Sequence, residues 1–189
     1  MIISITGHTS GIGLSLFNHF QNAGHTCIGF SRSNGYDISI PANRTRILSS
    51  SINADVFINN AYNNWDDSQF LLLQGMAKLW SGKDKLIINS ASVITDYPRP
   101  DNDPLEKYVQ TKKLLDTFST NHRKLPCICN LKLGFVDTPR VSKFTEEKLS
   151  LENIIKTVDF VVQNKGILNL KSISLVKNQA GKDNETKMG

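Results

Sequence analysis

The sequence has few cysteines and no long hydrophobic run. Its three cysteines, Cys27, Cys127 and Cys129, lie inside apolar segments, at spacings that suit neither a disulfide framework nor a metal cage. They read as small core residues in a reducing compartment, so a cytoplasmic location is expected. No segment approaches the roughly 18 apolar residues of a membrane span, and the first apolar run lacks the basic start of a secretory signal. Neither a membrane partner nor export is expected. The four histidines, His8, His19, His25 and His122, show no ligand spacing, so no metal is expected. A large excess of one charge is missing too: 22 basic residues against 17 acidic leave +5, scattered along the chain. No helix gathers Arg and Lys beside stacking aromatics, which argues against nucleic acid and leaves room for a phosphorylated small molecule.

What is present is alternation. Short β-rich runs at Ile2–Ile5, Cys27–Ser31, Asp55–Asn59, Leu86–Ser90, Ile128–Leu133 and Ile173–Val176 are separated by segments of helical period near 11–23, 41–52, 67–80, 105–121 and 151–164. Strands apolar on both faces and joined by crossovers predict a doubly wound α/β domain, a parallel sheet with helices on both faces. Ser150 is the expected cap of the last helix, and Gly24 the expected left-handed end of the first. The 189 residues are read as one domain over 1–177 with a polar, flexible tail over 178–189. The tryptophans, Trp65 and Trp80, read as packing residues flanking a helix.

The first strand runs into TGHTSGIG, with glycines at 7, 11 and 13 opening an amphipathic helix. A strand, a glycine-rich turn and a helix start present backbone N–H groups and a positive helix end to a phosphate. Gly7 would permit the tight turn, Gly11 the approach of a diphosphate, and Gly13 close packing of helix on sheet. A dinucleotide is the implied ligand, in a Rossmann-type arrangement.

The glycine spacing departs from the standard dinucleotide fingerprint. TGHTSGIG resembles the cofactor turn of the short-chain dehydrogenases/reductases, and three later stretches fit that family in order: INNAY at 58–62, NSAS at 89–92 followed by Tyr108-Val109-Gln110-Thr111-Lys112, and LGFVDTP at 133–139. Two stretches depart from the pattern. Tyr62 stands where the family has glycine after Asn-Asn-Ala, which puts a bulky ring beside the cofactor, and Leu133 replaces the usual proline before Gly134.

The resemblance implies a nicotinamide cofactor held by Gly7, Thr9, Ser10, Gly11, Ile12, Gly13, Asn60, Ala61, Lys112, Gly134, Val136 and Thr138, the backbone around Val136 pairing with the carboxamide. At the end of the second strand the family's NAD-binding carboxylate is replaced by Ser31, followed by Arg32, whose guanidinium suits a 2′-phosphate. NADP(H) is therefore favoured over NAD(H). Asp37 and Ile38 resemble the acidic pair that meets the adenine at the end of a brief third strand. Tyr108 and Lys112, four apart, project from one helix face, and a neighbouring ammonium would lower the phenol's pKa. Ser92 is the expected holder of a substrate oxygen, with Ser90 its rival. No asparagine in 67–80 matches the family's helix asparagine.

Together these imply an oxidoreductase moving hydride between NADP(H) and a small polar carbonyl or alcohol. Two alternatives remain open: a non-catalytic NADP(H)-binding redox sensor, and a sugar-nucleotide (deoxysugar) reductase, which the compact chain resembles. The loop 93–107, with Tyr97 as a pocket wall, and the segment 139–149 should set substrate choice. Family members pair through the helices at 67–80 and 105–121, so a homodimer or homotetramer is expected, with Leu71, Leu72, Met76, Val109, Leu114 and Phe118 as apolar candidates.

Overall fold

A computed structural model describes residues 1–63 and 66–178. The expected tail, from residue 179 onward, lies outside the described residues, as do Asn64 and Trp65. Six strands, β1 (Ile2–Thr6), β2 (Thr26–Phe30), β3 (Val56–Asn59), β4 (Leu86–Ser92), β5 (Cys127–Leu133) and β6 (Ser172–Leu175), form one sheet in the order β2-β1-β3-β4-β5-β6. Every pairing is parallel. The connecting helices are α1 (Gly11–Asn22), α2 (Pro41–Ser50), α3 (Ser68–Leu79), α4 (Glu106–Asn121) and α5 (Leu151–Gln163).

The sheet separates two apolar layers. Ile3, Ile5, Val56, Ile58, Ile88 and Leu131 point toward α1 and α5. Phe57, Ile87 and Ile128, on alternate positions, pack against α2, α3 and α4 with Trp80. This two-sided burial is what near-continuous apolar strands require, and it makes the class doubly wound α/β. On α5 the buried residues Ile154, Val158, Val161 and Val162 recur at helical spacing. Ser150 caps α5 by accepting from the Asn153 amide, and Gly24 follows α1 with φ of +81°.

One expected element is missing. GYDIS does not form a third strand, so β2 is an edge. After β2, Arg32–Asn34 make a single 3-10 turn, braced by Asn34 accepting from the Ser31 amide at 2.8 Å and ended by left-handed Gly35. Asp37 then accepts from the backbone and hydroxyl of Ser39, and the chain passes straight to Pro41 at the start of α2. These local bonds leave no extended backbone to pair with β2.

Candidate active site

Strand succession runs from β1 outward to β2 on one side and from β3 to β6 on the other, so the carboxyl ends of β1 and β3 border a crevice of the kind that binds ligands in open α/β sheets. The glycine turn fills one side. Gly7 and Gly11 have φ of +74° and +51°, conformations other residues rarely adopt. Gly13 is needed for another reason: a Cβ there would lie 2.1 Å from the Gly7 carbonyl oxygen. At the start of α1, Ser10 makes no side-chain cap and the first turn holds no acid. The positive helix end therefore has no internal anion.

Across the crevice, Thr6 Oγ accepts from the amides of Asn60 (3.0 Å) and Ala61 (2.9 Å). Asn60 in turn donates to the Thr6 carbonyl and accepts from Ser90 Oγ at 3.0 Å. The stretch after β3 is thus pinned beside the glycine turn. Thr138, on the segment after β5, closes the third side, its methyl 3.2 Å from where a Gly11 Cβ would stand. Val136 bridges Leu149, and that bridge uses the backbone of Phe135, Asp137 and Leu149, leaving the Val136 amide and carbonyl outside it. At the end of β2, Ser31 is buried and Arg32 exposed.

Ser92, Tyr108 and Lys112 come together at the carboxyl end of β4. Ser92 is its last residue, and its Oγ accepts from the Ile94 amide at 3.3 Å. Burial pushes the Tyr108 phenol above its ordinary value, while the Ser92 hydroxyl and then the Arg140 charge pull it down. This corrects the expectation of a phenol lowered by its lysine neighbour. The reason is the phenol's own burial, and Lys112 is itself only 3% exposed. Burial, reinforced by the Arg140 charge, brings its amine down to about 7 against the opposing pull of Asp116. Ser90 faces elsewhere, binding Asn60 through its hydroxyl and Lys112 through its carbonyl.

Two residues of this site, Gln69 and Arg140, escaped sequence reading. Gln69, at the start of α3, accepts from Lys112 Nζ at 2.8 Å and donates to the carbonyls of Asn59 (2.8 Å) and Ser90 (3.1 Å). Arg140, in the 3-10 turn Pro139–Val141, lies 5.5 Å from the Tyr62 ring centroid. Tyr62 itself does more than crowd the crevice: its ring meets the Tyr108 ring edge-on at 5.2 Å and lies 4.5 Å from Lys112 Nζ. Behind Gln69, Asn59, Asn89 and Asn130 occupy matched register positions on β3, β4 and β5. Their amides bond in series and end on Asp116, which also pairs with Lys132 at 3.1 Å. The recurring Asn at the ends of FIN (57–59), IIN (87–89) and CICN (127–130) was the available signal.

The uncapped α1, the cramped Gly13 and the pinned Asn60-Ala61 fit the diphosphate of a dinucleotide, and the hydrogen-bonding groups at the end of β2 fit its adenosine half. The other half would have to pass the Tyr62 ring to reach Ser92 and Tyr108.

No family model matches the sequence, and no curated protein matches it significantly. Solved structures do. The 3-alpha-hydroxysteroid dehydrogenase from Pseudomonas sp. B-0831, complexed with NADH, aligns with a TM-score of 0.71 at 18% identity over 93% of this chain and 94% of that one. Serine dehydrogenase from Escherichia coli gives 0.70 at 20% identity, over 93% and 97%. A short chain dehydrogenase from Burkholderia cenocepacia J2315 in complex with NADP gives 0.73 at 13%, over 93% and 88%. At these identities the likeness shows the fold, and it spans nearly the whole of each chain.

Proposed function

We propose that this chain is a short-chain dehydrogenase/reductase that uses NADP(H) to interconvert a small polar carbonyl compound and its alcohol. One observation carries the reading: Ser92, Tyr108 and Lys112 converge at the carboxyl end of β4, across a crevice from an uncapped helix start and a glycine turn. In the proposed site Gly11–Gly13 and Thr138 would hold the diphosphate, and Arg32 the 2′-phosphate. When bound, the nicotinamide supplies hydride. Tyr108, kept protonated by burial, donates its proton to the substrate oxygen. Ser92, which accepts from Ile94 and hydrogen-bonds the Tyr108 phenol, would turn its hydroxyl proton to that same oxygen when substrate is bound. The Arg140 charge eases the phenol's ionisation as the proton leaves.

NADPH oxidation against a panel of aldehydes, ketones and quinones tests this. Tyr108→Phe should lower kcat/KM by about 10²- to 10⁴-fold, the range of a lost general acid. Undiminished turnover would remove the assignment.

A second reading, an NADP(H)-binding sensor without turnover, draws on the Tyr62 ring lying against Lys112. Tight NADPH binding with no oxidation across the panel would select it. In either case we place the protein in the cytoplasm, where the free thiols of Cys27, Cys127 and Cys129 stay reduced. No helix among the described residues is long and apolar enough to cross a membrane. We also propose that two copies pair through α3 and α4. Leu72, Met76 and Val109 are committed to the chain's own core, which leaves exposed Leu71 and Leu114, with Phe70 and Phe118 lining a groove of about 330 Å³, for the second copy.

A further inference from the structure

The surroundings of Lys112 Nζ are unusual for a group assigned to ligand binding. Two oxygens take two of its protons, Gln69 Oε1 and the Ser90 carbonyl, each at 2.8 Å. The remaining side meets aromatic rings, Tyr62 at 4.5 Å and Tyr108 at 5.6 Å from their centroids. An ammonium so placed is held by the ring face of Tyr62 and is closed to solvent. The Tyr62 backbone cannot easily retreat, because Asn60 and Ala61 just before it are bonded to Thr6. Its side chain has more freedom. The ring is only half-buried, and the Arg140 guanidinium 5.5 Å from its centroid belongs to an exposed residue.

We propose that Tyr62 is a specificity-determining cover of the Lys112 amine, so that a ligand hydroxyl reaches that amine only when the ring has moved aside. For the identity of the ligand this rests on the dinucleotide reading above. The cover discriminates between ligands by their length. A molecule that fills the glycine turn and the end of β2 leaves Tyr62 in place, whereas one that extends to Tyr108 must displace the ring from both Lys112 and Tyr108. A residue without a side chain at position 62 would impose no such requirement.

The test uses two readouts that do not depend on turnover. In the first, the full-length protein is exposed to a water-soluble amine-acylating reagent, and the labelling rate of Lys112 is followed by peptide mass spectrometry. Tyr62→Gly should label at least about tenfold faster than the parent, as expected for losing a desolvated cation–π cover, and Tyr62→Phe should label at the parental rate. In the second, equilibrium binding of NADPH is compared with that of adenosine 2′,5′-bisphosphate, which lacks the reducing end. Tyr62→Gly should tighten NADPH by about tenfold, the equivalent of one such contact, and leave the bisphosphate within about twofold.

Equal Lys112 labelling in the parent and Tyr62→Gly would overturn the proposal, and so would an equal change in affinity for both ligands. Faster labelling with no binding of either ligand by any variant would uphold the cover and overturn the dinucleotide reading instead. Should the glycine variant fail to fold, Tyr62→Ala, which likewise removes the ring from Lys112 and Tyr108, is read in the same way.

Discussion

Single side chains at the two ends of the crevice make separable contributions. Arg32 is exposed beside buried Ser31 at the end of β2, where a serine stands in place of a strand-end carboxylate, and its charge also reaches Asp37. Arg32→Ala should raise the KM for NADPH by about tenfold or more, the loss of a charge-assisted contact, while changing that for NADH by less than about twofold. Parallel steady-state titrations check this, and equal effects on both would remove the NADP(H) preference. At the other end, Gln69 makes three buried bonds, to Lys112, Asn59 and Ser90. Gln69→Leu keeps the bulk but leaves two carbonyls and an amine short of partners, so chemical denaturation should show a loss of about 2–4 kcal/mol. The Arg32 site was legible because it adjoins a strand end that the apolar pattern defines. Gln69 was not, because its bonds join positions far apart in sequence, and no local pattern marks which polar residue of a helix turns inward.

At the scale of elements, the parts that local physics dictates were readable. The strands and helices fall within a few residues of the apolar runs and periodic segments, since β-branched runs and helical stripes each suit one backbone conformation. The missing third strand has a different cause. Asn34, Gly35, Asp37 and Ser39 are all turn formers, and together they bend the chain before it can extend. The glycine turn shows how tightly an element can be held by one position. Gly13 packs α1 directly on the Gly7 carbonyl, and an added Cβ would meet that oxygen at 2.1 Å and Asn60 Nδ2 at 2.7 Å. Because the first neighbour is backbone, α1 must shift as a unit. Gly13→Ala should therefore destabilise by about 1–3 kcal/mol and weaken dinucleotide binding together, measurable as a lower Tm and a higher Kd on the same sample. A fall in Tm without change in Kd would separate the packing role of Gly13 from the binding role of the turn.

Across the described residues two titrations are strongly displaced, and they act on stability with opposite sign. Burial brings the Lys112 amine down to about 7, whereas the unfolded chain holds that proton to about 10.4. Between these values the unfolded state binds one more proton than the folded state, so stability rises with pH, by at most about 1.4 kcal/mol per unit. Burial also pushes the Cys129 thiol up to about 12, while an unfolded cysteine releases its proton near 8.5. Above that point the folded state binds the extra proton, and the slope from Cys129 is downward. The two slopes oppose each other from about 8.5 to about 10.4, and beyond that range Cys129 acts with Tyr108 and Tyr62, whose phenols burial also raises. Thermal melts should therefore rise from about pH 7 to about 8.5, level off, and fall above about 10.4. Among the described residues Lys112→Met removes the one upward term of this size. It should abolish the climb between about pH 7 and 8.5, while leaving Gln69 Oε1 and the Ser90 carbonyl each short of a partner. A Lys112→Met melt curve parallel to that of the parent would mean that the amine is solvated in the folded protein. That result would contradict both the burial of Lys112 and the cover that Tyr62 places over it.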